Sequence, residues 1–241
     1  MIDQQFLKNY AIKSETSLIN ILREYAQHLF LRQFYQQKNS QHFLFKGGTA
    51  LRLAFNSPRF SEDLDFSAYK NSDIYESLLE NALLNLHNEG ITVEFNESKT
   101  TSGGHLSIIQ LSLFNQTIQI HCQISFRSKT KLIKENVVIN SNLIPSYNLY
   151  ILDRQLLVNE KLTALLDRQK PRDFFDLYFI LRQNSLRPLL NINPRQRKQI
   201  SNILSVLPKN KLAVELKELM PKSFLSVIKN LPLMLKKELG G

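Results

Sequence analysis

Residues 43–67, FLFKGGTALRLAFNSPRFSEDLDFS, place the tightest constraint on how this chain can fold. HFLF (42–45) is short and apolar, ends at Gly47-Gly48, and reads as a buried strand. An amphipathic run follows, with Thr49 placed to cap a short helix through about Phe55, and Asn56-Ser57-Pro58 stops it. DLDFS reads as a second strand. A side-chain period of two puts Asp63 and Asp65 on one face and sends Leu64 and Phe66 the other way, into the core. The chain has only seven glycines, so two side by side mark a turn where the backbone must come close to something.

The same alternation of periods organises the rest. Apolar residues at helical spacing from Ser17 to Tyr35 predict a long amphipathic helix, and residues 72–90, closing on Gly90, predict another. ITVEF, HLSIIQLSLF and TIQIHCQISF read as three strands, the last two joined by a hairpin around Asn115-Gln116. From about Arg154 the helical period persists almost to the end, broken at Pro171, Pro188, Pro194, Pro208, Pro221 and Pro232. The expectation is a mixed α/β (α+β) fold in which residues 1–150 form a core with a mixed sheet and an N-terminal helix. Residues 151–241 would form a helical lobe that completes a cleft.

Two carboxylates on one strand face repel each other unless a cation sits between them. With oxygen donors and no Cys or His cluster beside them, Asp63 and Asp65 suit a hard ion, Mg²⁺ or Mn²⁺, better than zinc. Such a pair is what a protein contributes to metal-assisted phosphoryl or nucleotidyl transfer. A Gly-Gly turn opening a helix lets backbone N–H groups approach a phosphate. GxxxxGK[ST] and GxGxxG are both absent, so this is neither a Walker loop nor a dinucleotide fingerprint.

KGGTALRLAF…RFSEDLDFS resembles the signature of nucleotidyltransferases with a polymerase-β-like core, and in this form is similar to the AbiEii/AbiGii branch of abortive-infection and toxin–antitoxin enzymes. A second block, EKLTALLDRQKPRDFFDLYFIL (160–181), resembles the Lys…Arg-Asp-x-x-Asp-Leu-Tyr pattern of that branch. The resemblance spans about residues 10–185. It implies Asp63 and Asp65 as metal-holding catalytic acids, with Lys161 on the triphosphate and Asp176 as the remaining catalytic acid. It also implies Lys46, Gly47, Gly48, Thr49, Ser61, Arg172 and Asp173 around the nucleotide. Asp176 is expected to face a cleft and to contribute little to stability. In one respect the chain departs from the wider superfamily: the strand IQIHCQISF offers His121 and Gln123 but no third carboxylate beside the pair.

The resemblance further implies an NTP substrate, a cognate antitoxin and a toxin that blocks growth or phage propagation, with the tRNA 3′ end as the favoured acceptor. Charge fits a polyanionic partner: 31 Lys+Arg against 21 Asp+Glu give +10. Seven basic residues between Leu177 and Val214 (Arg182, Arg187, Arg195, Arg197, Lys198, Lys209, Lys211) meet no acid. They read either as solvated helix faces or as a basic wall for RNA. Two other functions stay open: a small-molecule nucleotidyltransferase of the antibiotic-modifying type, whose acceptors are often cationic, and a catalytically silent RNA-binding module. A lone cysteine, no apolar export segment in MIDQQFLKNY and no membrane-length apolar run lead to the expectation of a cytoplasmic protein without a membrane partner.

Overall fold

The computed structural model describes residues 2–69, 72–127, 131–206 and 211–240. Its internal contacts divide the chain into two units: residues 1–56 with 60–153, and residues 57–59 with 154–241. The junction falls at Asp153/Arg154, and three residues from the middle of the opening motif group with the second unit.

In the first unit, β1 (Leu44–Lys46), α3 (Gly47–Phe55) and β2 (Leu64–Ala68) realise the strand–turn–helix–strand reading. Before them lie α1 (Gln4–Lys13) and α2 (Leu18–Tyr35), and after them α4 (Ser72–Asn88). Ser17 caps α2 by accepting from the Asn20 N–H, as a serine ahead of an apolar helical run should. Strands β3 (Thr92–Thr101), β4 (Gly104–Leu113), β5 (Gln116–Phe126), β6 (Lys134–Ile139) and β7 (Tyr147–Leu152) complete the unit. The sheet order is β3-β4-β5-β2-β1-β7-β6. The β2–β5 and β1–β7 pairs are parallel and the remaining four antiparallel, which makes the sheet mixed.

Fully buried Phe34 of α2 packs on Phe66 of β2, with ring centroids 5.6 Å apart, and Phe45 of β1 adds its ring to Phe66 at the same spacing. Even-numbered β2 residues thus anchor the core, while Asp65 on the other face is only half-buried.

Several sequence expectations change in detail. His42 closes a 3-10 turn (Ser40–His42) rather than opening β1. The β4–β5 turn is Phe114-Asn115, both at positive φ, one residue earlier than expected. Helix α1 and strands β6 and β7 add to the elements that the sequence pattern predicts.

The second unit holds α5 (Arg154–Arg168), α6 (Pro171–Arg182), α7 (Pro194–Val206), α8 (Lys211–Leu219) and α9 (Leu225–Glu238). Leu165, Phe174, Leu216, Leu231 and Leu235, all fully buried, form the centre of its own apolar cluster. Pro171 and Pro194 start helices, where the missing N–H costs nothing. Pro232 does not break its helix as expected. Residues 225–238 stay helical through it, held by buried Ile228, Leu231 and Leu235. Pro208 lies outside the described residues.

Candidate active site

Lys46 ends β1 and Gly47 begins α3 in a left-handed conformation, φ +82°. A Cβ on residue 47 would collide with Asp65 Oδ2. Glycine is therefore required twice over, by φ and by the nearness of the carboxylate. The close approach anticipated for the Gly-Gly turn includes the chain's own aspartate, which stands at the N-terminal end of a helix, where negative charge is favoured. Thr49 does not cap α3 as expected: the helix starts two residues earlier. The Thr49 side chain is buried, and its hydroxyl donates to the Asp63 carbonyl at 2.5 Å.

Asp65 pairs in register with Lys46 on one side and with Gln123 on the other. Leu64 and Phe66 are fully buried on the opposite face. Lys46 is 7% exposed, and its Nζ donates to Ser125 Oγ at 3.3 Å. Asp63, just ahead of β2, keeps a third of its side chain in solvent, with His121 Nδ1 3.7 Å from Oδ1. Asp63 and His121 help to line a concavity of about 260 Å³ together with Arg23 and Glu62.

Burial above all raises the Cys122 thiol pKa; the Asp63 and Asp65 charges add to the rise and a Tyr75 hydrogen bond opposes it. Cys122 is accordingly a neutral core group. Gln123 occupies the β5 position beside Asp65, where a third carboxylate would stand. Among the described residues no group of three or more His, Cys, Asp or Glu converges as a metal cage. A carboxylate on β2 and another just ahead of it, both half-buried, instead suit an ion that takes its remaining ligands from phosphate and water, as Mg²⁺ does.

The second block builds a cluster inside the second unit. Asp176 is fully buried. Its carboxylate accepts from Arg59 Nε at 2.9 Å and Nη2 at 3.1 Å, and from Lys161 Nζ at 2.7 Å. Burial pushes the Asp176 carboxyl up, but the charges and hydrogen bonds of Arg59 and Lys161 outweigh it and hold the group at about 2. The expectation that Asp176 contributes little to stability is therefore corrected: a buried carboxylate between two cations is part of the unit's framework.

Asp173, 1% exposed, caps α6 by accepting from the Lys170 N–H at 3.1 Å, and Arg168 grips the same carboxylate at 2.7 Å. Asp173 and Asp176, expected to act from one helix face, thus serve different partners. Arg172 Nε is buried and has no hydrogen-bond partner among the described residues. Arg59 is not among the residues that the sequence singles out, although it lies within the opening motif. Its only cue is a cation placed between Pro58 and Phe60, where a solvated loop would not need one.

Of the basic run, Arg182 and Arg187 pair with Glu238 at 2.9 and 3.6 Å, and Arg197 donates to the Leu239 carbonyl. Arg195 and Lys198 are exposed. Lys209 and the side chain of Lys211 lie outside the described residues.

The sequence and fold match a nucleotidyl transferase family, which makes this protein a nucleotidyltransferase. The chain belongs to the AbiEii nucleotidyl transferase toxin family of type IV toxin–antitoxin systems, which it matches over residues 29–203. That family membership carries an NTP substrate and an antitoxin partner. Among curated proteins none matches it. Its fold is similar to that of MenT4, a nucleotidyltransferase toxin from Mycobacterium tuberculosis H37Rv, at 16% identity with TM-score 0.64, covering 100% of this chain and 89% of that one. JHP933 from Helicobacter pylori is likewise similar, at 20% identity with TM-score 0.60, over 93% of this chain and 91% of that one. No helix among the described residues is long and apolar enough to cross a membrane.

Proposed function

We propose that this nucleotidyltransferase transfers a nucleoside monophosphate from an NTP to the 3′ end of an RNA, with tRNA as the favoured acceptor, in the cytoplasm. The transfer would halt growth, and with it phage propagation, until the antitoxin counters it. The observation that carries the reading is the seat of Asp65 against Gly47 at the start of α3, with Asp63 two residues before it.

Asp63 and Asp65 would hold Mg²⁺ or Mn²⁺, which when bound supplies neutralising charge to the phosphates. The N–H groups of Gly47 and Gly48, in the first turn of α3, would donate to phosphate oxygens. The acceptor hydroxyl oxygen forms a bond to the α-phosphorus, the bond from that phosphorus to the bridging oxygen breaks, and pyrophosphate leaves. The hydroxyl proton passes to solvent.

A charge of +10 and the exposed Arg195 and Lys198 favour RNA over a cationic small molecule as acceptor. Incubation with each labelled NTP, Mg²⁺ and either total RNA or a protein lysate, followed by gel separation, tests this. Label in RNA supports the proposal, and label confined to protein or to a small molecule refutes the RNA acceptor.

A further inference from the structure

Residues 61–63, which lead into β2, form no helix or strand of their own. Asp63 stands at the end of this segment, one residue before β2. Three successive carbonyls of the segment are nevertheless held by side chains. Gln27 of α2, 1% exposed, donates from Nε2 to the Ser61 carbonyl at 2.9 Å and to the Glu62 carbonyl at 3.0 Å. Thr49 of α3, equally buried, donates to the Asp63 carbonyl. A carboxamide nitrogen has two N–H groups, and both find an acceptor here.

The flanks are also held. Arg52, paired with the largely buried Glu24 at 2.6 Å, lies over the Phe60 ring at 4.0 Å. Arg23, one turn before Gln27, reaches Glu62 at 3.1 Å, an exposed pair of lesser weight.

We infer that Gln27 is a positioning residue for Asp63: its carboxamide, with the Thr49 hydroxyl, fixes three consecutive carbonyls and so sets the direction in which the Asp63 carboxylate leaves the chain. The inference rests on the metal-pair reading given above. Among the described residues no group of three or more potential metal ligands converges, so a shift of one carboxylate of the pair weakens the site directly. Groups that orient metal ligands typically alter metal affinity by about 10–100-fold when removed. If these side chains only satisfied buried carbonyls, their loss would lower stability and leave metal affinity unchanged in the folded protein.

The test is Mn²⁺ binding to the full chain without nucleotide, read from the electron paramagnetic resonance of free Mn²⁺ well below each variant's melting temperature. Asp65→Asn should abolish binding. Gln27→Leu, similar in size but with no donor, should weaken it by about tenfold or more. Thr49→Val should weaken it by about tenfold, and Thr49→Ser, which restores the hydroxyl, should bind as the wild type does. Wild-type affinity in folded Gln27→Leu and Thr49→Val, with binding lost in Asp65→Asn, overturns the positioning role and leaves the metal pair standing. Unchanged binding in Asp65→Asn overturns the metal pair and this inference with it. Should Gln27→Leu fail to fold, the Thr49 variants decide: equal affinities overturn the inference, and a tenfold gap supports it.

Discussion

The carboxylates at the start of β2 and the carboxylate of Asp176 on α6 differ in what surrounds them. Asp63 keeps a third of its side chain in solvent, and Asp65 sits half-buried on β2 against a glycine. Asp176 has no exposure, and two cations hold its oxygens, Lys161 from 15 residues away and Arg59 from 117. Both acids belong to motif blocks, and from sequence both read as catalytic. Their burial separates them: Asp63 and Asp65 are half-buried, whereas Asp176 is enclosed with its two cations. A buried ion cluster ties chain segments together and is costly to break, whereas Asp63 and Asp65 are only half-buried.

The largest effect expected from this contrast is on stability. Asp176→Asn leaves Arg59 and Lys161 buried without their counter-charge and should destabilise the second unit by about 3–5 kcal/mol. Hydrogen exchange should show faster opening of α5 and α6 amides, with β2 amides unaffected. Equal protection in variant and wild type would remove the contrast.

Gly47→Ala works the other way. Strain at φ +82° and the collision with Asp65 should displace the carboxylate and slow transfer by about a hundredfold, as misplacement of about 1 Å does. Wild-type turnover in that variant would show that the closeness of Gly47 to Asp65 has no catalytic consequence.

Acid titration should separate the two units. Burial first, and then the Arg52 charge, lower the His28 pKa to about 4 from an ordinary 6.5. Its neutral form is hydrogen-bonded to the Tyr147 hydroxyl at 2.9 Å. Because the unfolded state takes the proton first, this contribution to the first unit is complete above pH 6.5. It declines as pH falls toward 4, by up to about 1.4 kcal/mol per pH unit. Asp176, with its folded pKa depressed to about 2 from 3.8, contributes stability above pH 3.8 that is lost as pH falls through 2. Thermal melts from pH 7 to pH 2 should therefore lose stability in two stages. His28→Gln should flatten the upper stage and Asp176→Asn the lower.

The smallest effect concerns RNA. Replacing exposed Arg195 and Lys198 by Gln should reduce the slope of log affinity against log salt by about 0.7 for each single-strand phosphate that the variant no longer neutralises. An unchanged slope would mean that these cations do not touch RNA.

Much of this is legible locally. The helix of 18 residues at α2, the Gly-Gly turn and the alternating strands β4 and β5 carry periods that a sequence displays directly. Strand β6 escapes because KENVVI alternates half-buried with exposed residues and so lacks a clean apolar face. Pro232 misleads because buried neighbours on either side of it keep its helix intact. The site divides in the same manner. Asp63, Asp65 and Gly47 stand within one short stretch, whereas the partner of Arg59 lies 117 residues away and that of Arg182 lies 56. In the sequence Gln27 is one more polar residue on an amphipathic helix. Only the fold shows that it is 1% exposed and bonded to the loop before Asp63.

The measurement that bears most directly on the candidate pair is incorporation of labelled NTP into RNA by the wild type and by Asp65→Asn, with both proteins shown to be folded by circular dichroism. If Asp63 and Asp65 are the catalytic carboxylates, Asp65→Asn should label no RNA above background in Mg²⁺ or in Mn²⁺, with its melting temperature near that of the wild type. Labelling at the wild-type rate would contradict the assignment and leave the carboxylates beside the Gly-Gly turn without a role in the chemistry.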